Sequence, residues 1–113
     1  MRLSSVQSKD TNQYGLPEEI KIVATSWLIK VGSLKAINSG EKEPKTYIVY
    51  VRSYKPGKGI AKMLLLKINE IFQELAKIKK VTVRHVVHFI SEEGEMKLKN
   101  TMPDLDTLKK EIS

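Results

Sequence analysis

The chain has 113 residues, 41% of them hydrophobic, no cysteine, and a formal net charge of +7. That length suits one domain around one hydrophobic core. No apolar run is long enough to cross a bilayer, and the missing cysteines exclude a disulfide framework, a thiolate nucleophile and a Cys-based zinc site.

The N-terminus lacks the apolar centre of a signal peptide, so a cytoplasmic protein without a membrane partner is expected. The charge is uneven, at net −1 over residues 1–19, +6 over 20–60, +4 over 61–90 and −2 over 91–113. A basic middle favours anionic partners such as nucleic acid, phosphorylated cofactors or acidic surfaces. Lysine outnumbers arginine 17 to 3, which argues against dense bidentate reading of bases.

Residues 1–17 are polar and without period, and read as a flexible arm ending at Gly15-Leu16-Pro17. The single α+β domain is expected over 18–113. Ile20 to Ile37 is rich in β-branched residues, and Trp27, Ile29 and Val31 would share one side of a strand. Gly32 marks a bulge or turn, which would divide this stretch into two strands. A polar loop, Asn38 to Pro44, precedes a strand over Thr46–Arg52.

Tyr54-Lys-Pro-Gly-Lys-Gly59 then hands that strand over to a helix. Backbone N–H groups at a helix start are unpaired and lie at the positive end of the peptide dipoles. Glycines let an anion approach that backbone, so the turn suits a phosphate. The same residues also serve simply to turn a strand into a helix. A P-loop is excluded, because Gly59 is followed by Ile-Ala rather than Lys-Ser/Thr.

The helix spans about Ile60 to Ile78. Ile60, Ala61, Leu64, Leu65, Ile68, Ile71, Phe72, Leu75, Ala76 and Ile78 fall within an arc of roughly 160°, with charged residues opposite. Met63 and Leu66 project onto the polar side, where a second layer or a homodimer contact would form. Lys79 and Lys80 place cations at the negative end. Val81 to Ile90 is the next strand, with His85, Val87 and Phe89 on one face and Val86, His88 and Ile90 on the other. Met96–Lys99 alternates like a short strand. Asp104 can cap a short C-terminal helix in which Leu105, Leu108 and Ile112 share a face.

Val51-Arg-Ser-Tyr-Lys-Pro-Gly-Lys-Gly-Ile-Ala61, with the helix behind it, resembles the central motif of the GNAT superfamily of acyl-CoA-dependent N-acetyltransferases. In that motif a strand leads through Arg/Gln-x-x-Gly-x-Gly/Ala into a helix and a further strand. Gly59 and Ala61 match, Pro56 stands where Arg or Gln is usual, and the similarity covers Lys45 to Ile90.

The resemblance implies a GNAT-like core. It would be an α+β fold, a mostly antiparallel sheet with the long amphipathic helix packed on it and the short C-terminal helix. A right-handed crossover would make the two strands flanking the long helix parallel. It also implies acetyl-CoA as cofactor, with the main chain of Gly57, Lys58, Gly59, Ile60, Ala61 and Lys62 on the pyrophosphate and Val51 along the pantetheine arm. The acceptor would be an amine on a small molecule or a protein. The chain departs from the family in carrying a polar arm where a strand and two helices are usual, no acid on the Thr46–Arg52 strand, and no tyrosine after Tyr54.

His85 and His88 are three apart, so on a strand they face opposite ways and cannot share a metal; no metal site is expected. His85 is the candidate catalytic proton acceptor, since its ordinary pKa lies near neutrality. The alternative class is a small basic nucleic-acid-binding protein without catalytic activity. Tyr47, Tyr50, Tyr54 and Trp27 lie among lysines, and aromatic and basic residues on a sheet can stack bases. Against it, Tyr47 and Tyr50 are three apart and so face opposite sides of their strand.

Overall fold

The computed structural model describes residues 1–55 and 57–90. Five strands form one sheet in chain order: β1 (Arg2–Gln7), β2 (Glu19–Ser26), β3 (Ile29–Asn38), β4 (Thr46–Ser53) and β5 (Arg84–Ile90). The helix α1 (Ile60–Lys79) connects β4 to β5. Neighbours run antiparallel except β4 and β5, which are parallel and pair from Thr46↔Arg84 to Arg52↔Ile90. A parallel pair needs a crossover, and α1 supplies it.

The architecture expected from the sequence is corrected in its helices. Among the described residues α1 is the only helix, lying across one five-stranded sheet; the plan of a long helix plus a short C-terminal one is not what is found. The expected short strand Met96–Lys99 and the helix begun by Asp104 lie outside the described residues.

One face of the sheet is covered. Ile20, Ile22 and Ala24 of β2, Leu34 and Ala36 of β3, Tyr47, Val49 and Val51 of β4, and Val87 of β5 are buried there. Above them lie Ile60, Leu64, Leu65, Ile68, Ile71, Phe72 and Leu75 of α1. Each large aliphatic side chain taken fully out of water contributes about 1.5–3 kcal/mol, so this layer carries the stability. The apolar arc of α1 matches the sequence reading except at Ile78, which is 62% exposed in the final turn. Met63 and Leu66 are exposed, as their angular positions require.

Residues 1–17 are not a loose arm. Arg2–Gln7 pairs with β2 from Arg2↔Thr25 to Gln7↔Ile20. Five of its six side chains are exposed, because an edge strand held by backbone bonds needs no apolar period. The loop behind it is tied down by Asn12, whose Oδ1 accepts from Tyr14 N–H (2.9 Å) and Leu16 N–H (3.2 Å) and whose Nδ2 donates to the Pro44 carbonyl. Leu16 is wholly buried.

The break between β2 and β3 falls at Trp27-Leu28, not at Gly32. Ser26↔Ile29 is the last pair, so these two residues form the hairpin turn, and Trp27, Ile29 and Val31 do not share a strand face. Gly32 has a different task. Ala24 pairs with Gly32 and Thr25 with Lys30, leaving Val31 as an extra residue in a bulge. A Cβ on Gly32 would lie 2.6 Å from Ile60 Cγ2 and 3.0 Å from the Arg52 carbonyl. The start of α1 therefore crosses directly over this glycine. Gly32→Ala is expected to cost about 1–3 kcal/mol through this overlap, read as a lower urea midpoint at unchanged slope.

Tyr47 joins the layers. Its ring stacks on Phe72 (centroids 4.8 Å apart, 29° between planes), and its hydroxyl donates to the Pro17 carbonyl. Burial pushes its phenol up to about 12, with a hydrogen bond to Asn38 opposing the rise. A phenol whose pKa is higher in the folded chain stabilises fully below its ordinary value of 10, and that stabilisation is lost as pH rises toward 12. The wild type is thus expected to lose stability between pH 10 and about 12 more steeply than Tyr47→Phe, measured by denaturant unfolding across that range.

Candidate functional site

The turn between β4 and α1 is anchored at both ends. Tyr54 N–H donates to the Val31 carbonyl at 2.9 Å, and Ser53 Oγ donates to the Lys55 carbonyl at 3.2 Å. At the far end Ile60 is buried over Gly32. Between them Gly57 (φ 81°) and Gly59 (φ 71°) take left-handed conformations. A Cβ on either would meet nothing within 4 Å, so the hand of the backbone, and not lack of space, calls for glycine.

Gly59 is the N-cap of α1 and no side chain caps the helix; its first turn holds no acid. Met63 N–H bonds back to the Gly59 carbonyl at 3.1 Å, so the amides of Ile60, Ala61 and Lys62 precede the first intrahelical bond. Among the described residues no backbone bond from outside the helix occupies them. Gly57, Lys58, Gly59 and Lys62 are exposed, as is Lys55; Ala61 is half-buried. The sequence-derived cofactor residues Gly57 to Lys62 thus form an exposed turn and an uncapped helix start beside exposed Lys55, Lys58 and Lys62.

Val51 does not stand as expected. Its backbone lies between two partners, Leu34 on β3 and Phe89 on β5, and its side chain is buried. β4 and β5 stay paired through Arg52↔Ile90, so no slot for a pantetheine arm opens along β4 here.

His85 is also displaced from the role read in the sequence. It is buried on the helix-covered face, opposite Tyr47 and beside Phe72 (5.1 Å between centroids). Six strand residues separate its level from the end of β4, which puts it about 20 Å from the turn. His88 faces the other way, so the two rings share no ligand.

Among the described residues no helix lies on the sheet's other face, which was underread in the sequence. Along β4 and just past its end, Tyr50, Arg52 and Tyr54 follow one another on this side. The Tyr50 ring meets His88 at 5.2 Å, while Lys30 Nζ and Arg52 Cζ lie 5.8 and 6.0 Å from the centre of the Tyr54 ring. Lys35, Tyr50, Arg52 and Ile90 help line a depression of about 580 Å³. Glu19 moderates the charge at its far end, 3.3 Å from Lys21 and 3.7 Å from Lys35. Period-two counting from Tyr50 would have placed Arg52 and Tyr54 with it.

The Tyr54 phenol is held below the ordinary value, first by a hydrogen bond with Ser33; burial, the next effect, opposes this, and Arg52 and Lys30 lower it further. No protein-family model, curated protein or solved structure matches the chain. Ser33→Ala is expected to move the Tyr54 titration upward toward that of a free tyrosine, followed by ultraviolet difference absorbance against a Tyr54→Phe control.

Proposed function

We propose that the protein binds the pyrophosphate of acetyl-CoA at the turn between β4 and α1, and that it is N-acetyltransferase-like, transferring the acetyl group to an amine of a small molecule or protein. The observation that supports this reading is the uncapped helix start behind two left-handed glycines, with Lys55, Lys58 and Lys62 exposed beside it. The motif resemblance from Val51 to Ala61 supplies the cofactor's identity.

In the reaction, the lone pair of a neutral amine attacks the thioester carbonyl. The C–S bond breaks, and the departing thiolate takes the proton that the new amide nitrogen loses. The protein's part is positional, fixing the phosphates so that the thioester lies at a constant distance from its anchor. His85 is not assigned a part, because of its distance. A pantetheine arm alongside Val51 requires the last rungs, Val51↔Phe89 and Arg52↔Ile90, to separate when the cofactor enters.

A second reading rests on a separate observation, the run of Tyr50, Arg52 and Tyr54 on the uncovered face with His88 beside it. Rings and cations on an open sheet fit single-stranded nucleic acid, the bases stacking and the phosphates meeting Arg52 and Lys30.

Two measurements separate these readings. Acetyl-CoA at 100 times its dissociation constant is expected to add about 2.7 kcal/mol of stability. Lys58→Glu with Lys62→Glu should weaken that binding about tenfold or more while leaving the melting temperature of the free protein unchanged, since both side chains are exposed. No thermal response at millimolar acetyl-CoA removes the transferase reading. Affinity for single-stranded DNA at two salt concentrations tests the second: a steep salt slope, with loss of about 1–3 kcal/mol on Tyr50→Ala, favours it.

A further inference from the structure

The β2–β3 turn is built from residues that such a turn does not favour. A two-residue hairpin turn with positive φ at both positions suits Asn-Gly, yet here Trp27 (φ 52°) and Leu28 (φ 68°) occupy it. Left-handed backbone is sterically costly for residues with a Cβ, and more so for bulky ones. Among the described residues no packing offsets that cost, because Trp27 is 94% exposed and Leu28 fully so. Ile29 and Met1 beside them are also exposed. Strained residues persist where something beyond local stability requires them.

Among the described residues the charge around this tip has one sign. Arg2 pairs with Thr25 next to the turn, Lys30 follows it, and Arg52, Lys55, Lys58 and Lys62 stand at the end of β4 and the start of α1. Every described acid lies elsewhere: in the β1–β2 and β3–β4 loops, at the beginning of β2, or in the second half of α1. The described part of the protein thus has a basic end that carries a projecting apolar point.

We propose that this end docks on an anionic membrane surface, with Trp27 and Leu28 entering the boundary between headgroups and acyl chains and the surrounding cations facing the headgroups. A second copy of the chain is disfavoured by like charge. A projecting point whose side chains are this exposed suits a fluid phase, which closes around it, better than a preformed pocket. Tryptophan is at home at that boundary, and apolar insertion combined with basic attraction is what stable interfacial binding needs. The absence of a membrane-crossing helix among the described residues does not bear on such surface contact.

The chain's single tryptophan is the reporter. Vesicles of 30% phosphatidylserine in phosphatidylcholine are expected to shift Trp27 emission to shorter wavelength and to sediment the protein. Pure phosphatidylcholine vesicles should do so far less, and high salt should weaken the anionic case. Trp27→Asn with Leu28→Gly installs the favoured turn pair; it should hold or raise the melting temperature while cutting vesicle binding by about tenfold or more. No emission shift with anionic vesicles overturns the proposal. So does unchanged vesicle binding by the double variant, or a shift produced by single-stranded oligonucleotide but not by vesicles. The emission test uses the unaltered chain and decides the matter even if the variant folds poorly.

Discussion

The geometry of the molecule depends on one close crossing, the Ile60 side chain over the backbone of Gly32. Only a residue without a Cβ lets the start of α1 come this near β3. Because Ile60 is fixed there and Tyr54 N–H is fixed to the Val31 carbonyl, the five residues between must close a short gap. They do so with two left-handed glycines. The open amides of the turn are thus a consequence of how the helix is seated, and the bulge at Val31 belongs to the same arrangement.

The sheet divides the chain's chemistry between two sides. The covered side takes the aliphatic residues, Tyr47 and His85, and the stacked Tyr47–Phe72 pair links β4, α1 and, through Pro17, the loop after β1. The uncovered side keeps Tyr50, Arg52, Tyr54 and His88 within reach of solvent. A second division runs along the strands. Of the described acids, most lie at the end holding the β1–β2 and β3–β4 loops and none at the other end, which holds lysines, arginines and the exposed Trp27-Leu28 turn. The positive end of the α1 dipole lies at that basic end, so the helix and the side chains add to one field.

Much of this was legible in the sequence where period and turn chemistry agree. Ile60 to Leu75 shows its buried stripe plainly, Thr46–Arg52 and the alternation through His85, Val87 and Phe89 name their faces, and strand–helix–strand order implies a parallel pair. The edge strand was not legible, because Arg2–Gln7 pairs by backbone and carries almost no apolar side chain. The Trp27-Leu28 turn was hidden for the opposite reason: Trp27 favours strands, neither residue is a turn former, and the fold overrides both preferences. Gly32 was recognised as a break, but its role comes from Ile60, twenty-eight residues away, and no local pattern carries that. At the candidate site, Gly57 to Lys62 are consecutive in the chain, and the glycines and the uncapped start of α1 follow from local sequence. Val51 and His85 do not stand where the sequence reading put them, because strand pairing on both edges of β4 and the register of β5 are properties of the whole sheet.

The central claim is that the backbone between Gly57 and Lys62 receives an anion. A titration with coenzyme A, followed by amide nitrogen–proton NMR, addresses it most directly. The account predicts saturable shifts concentrated at Gly57, Lys58, Gly59, Ile60, Ala61 and Lys62, with smaller changes at Val51 and Phe89. Shifts scattered over lysines on all sides, or confined to the Tyr50–Arg52–Tyr54 face with the turn silent, would contradict it.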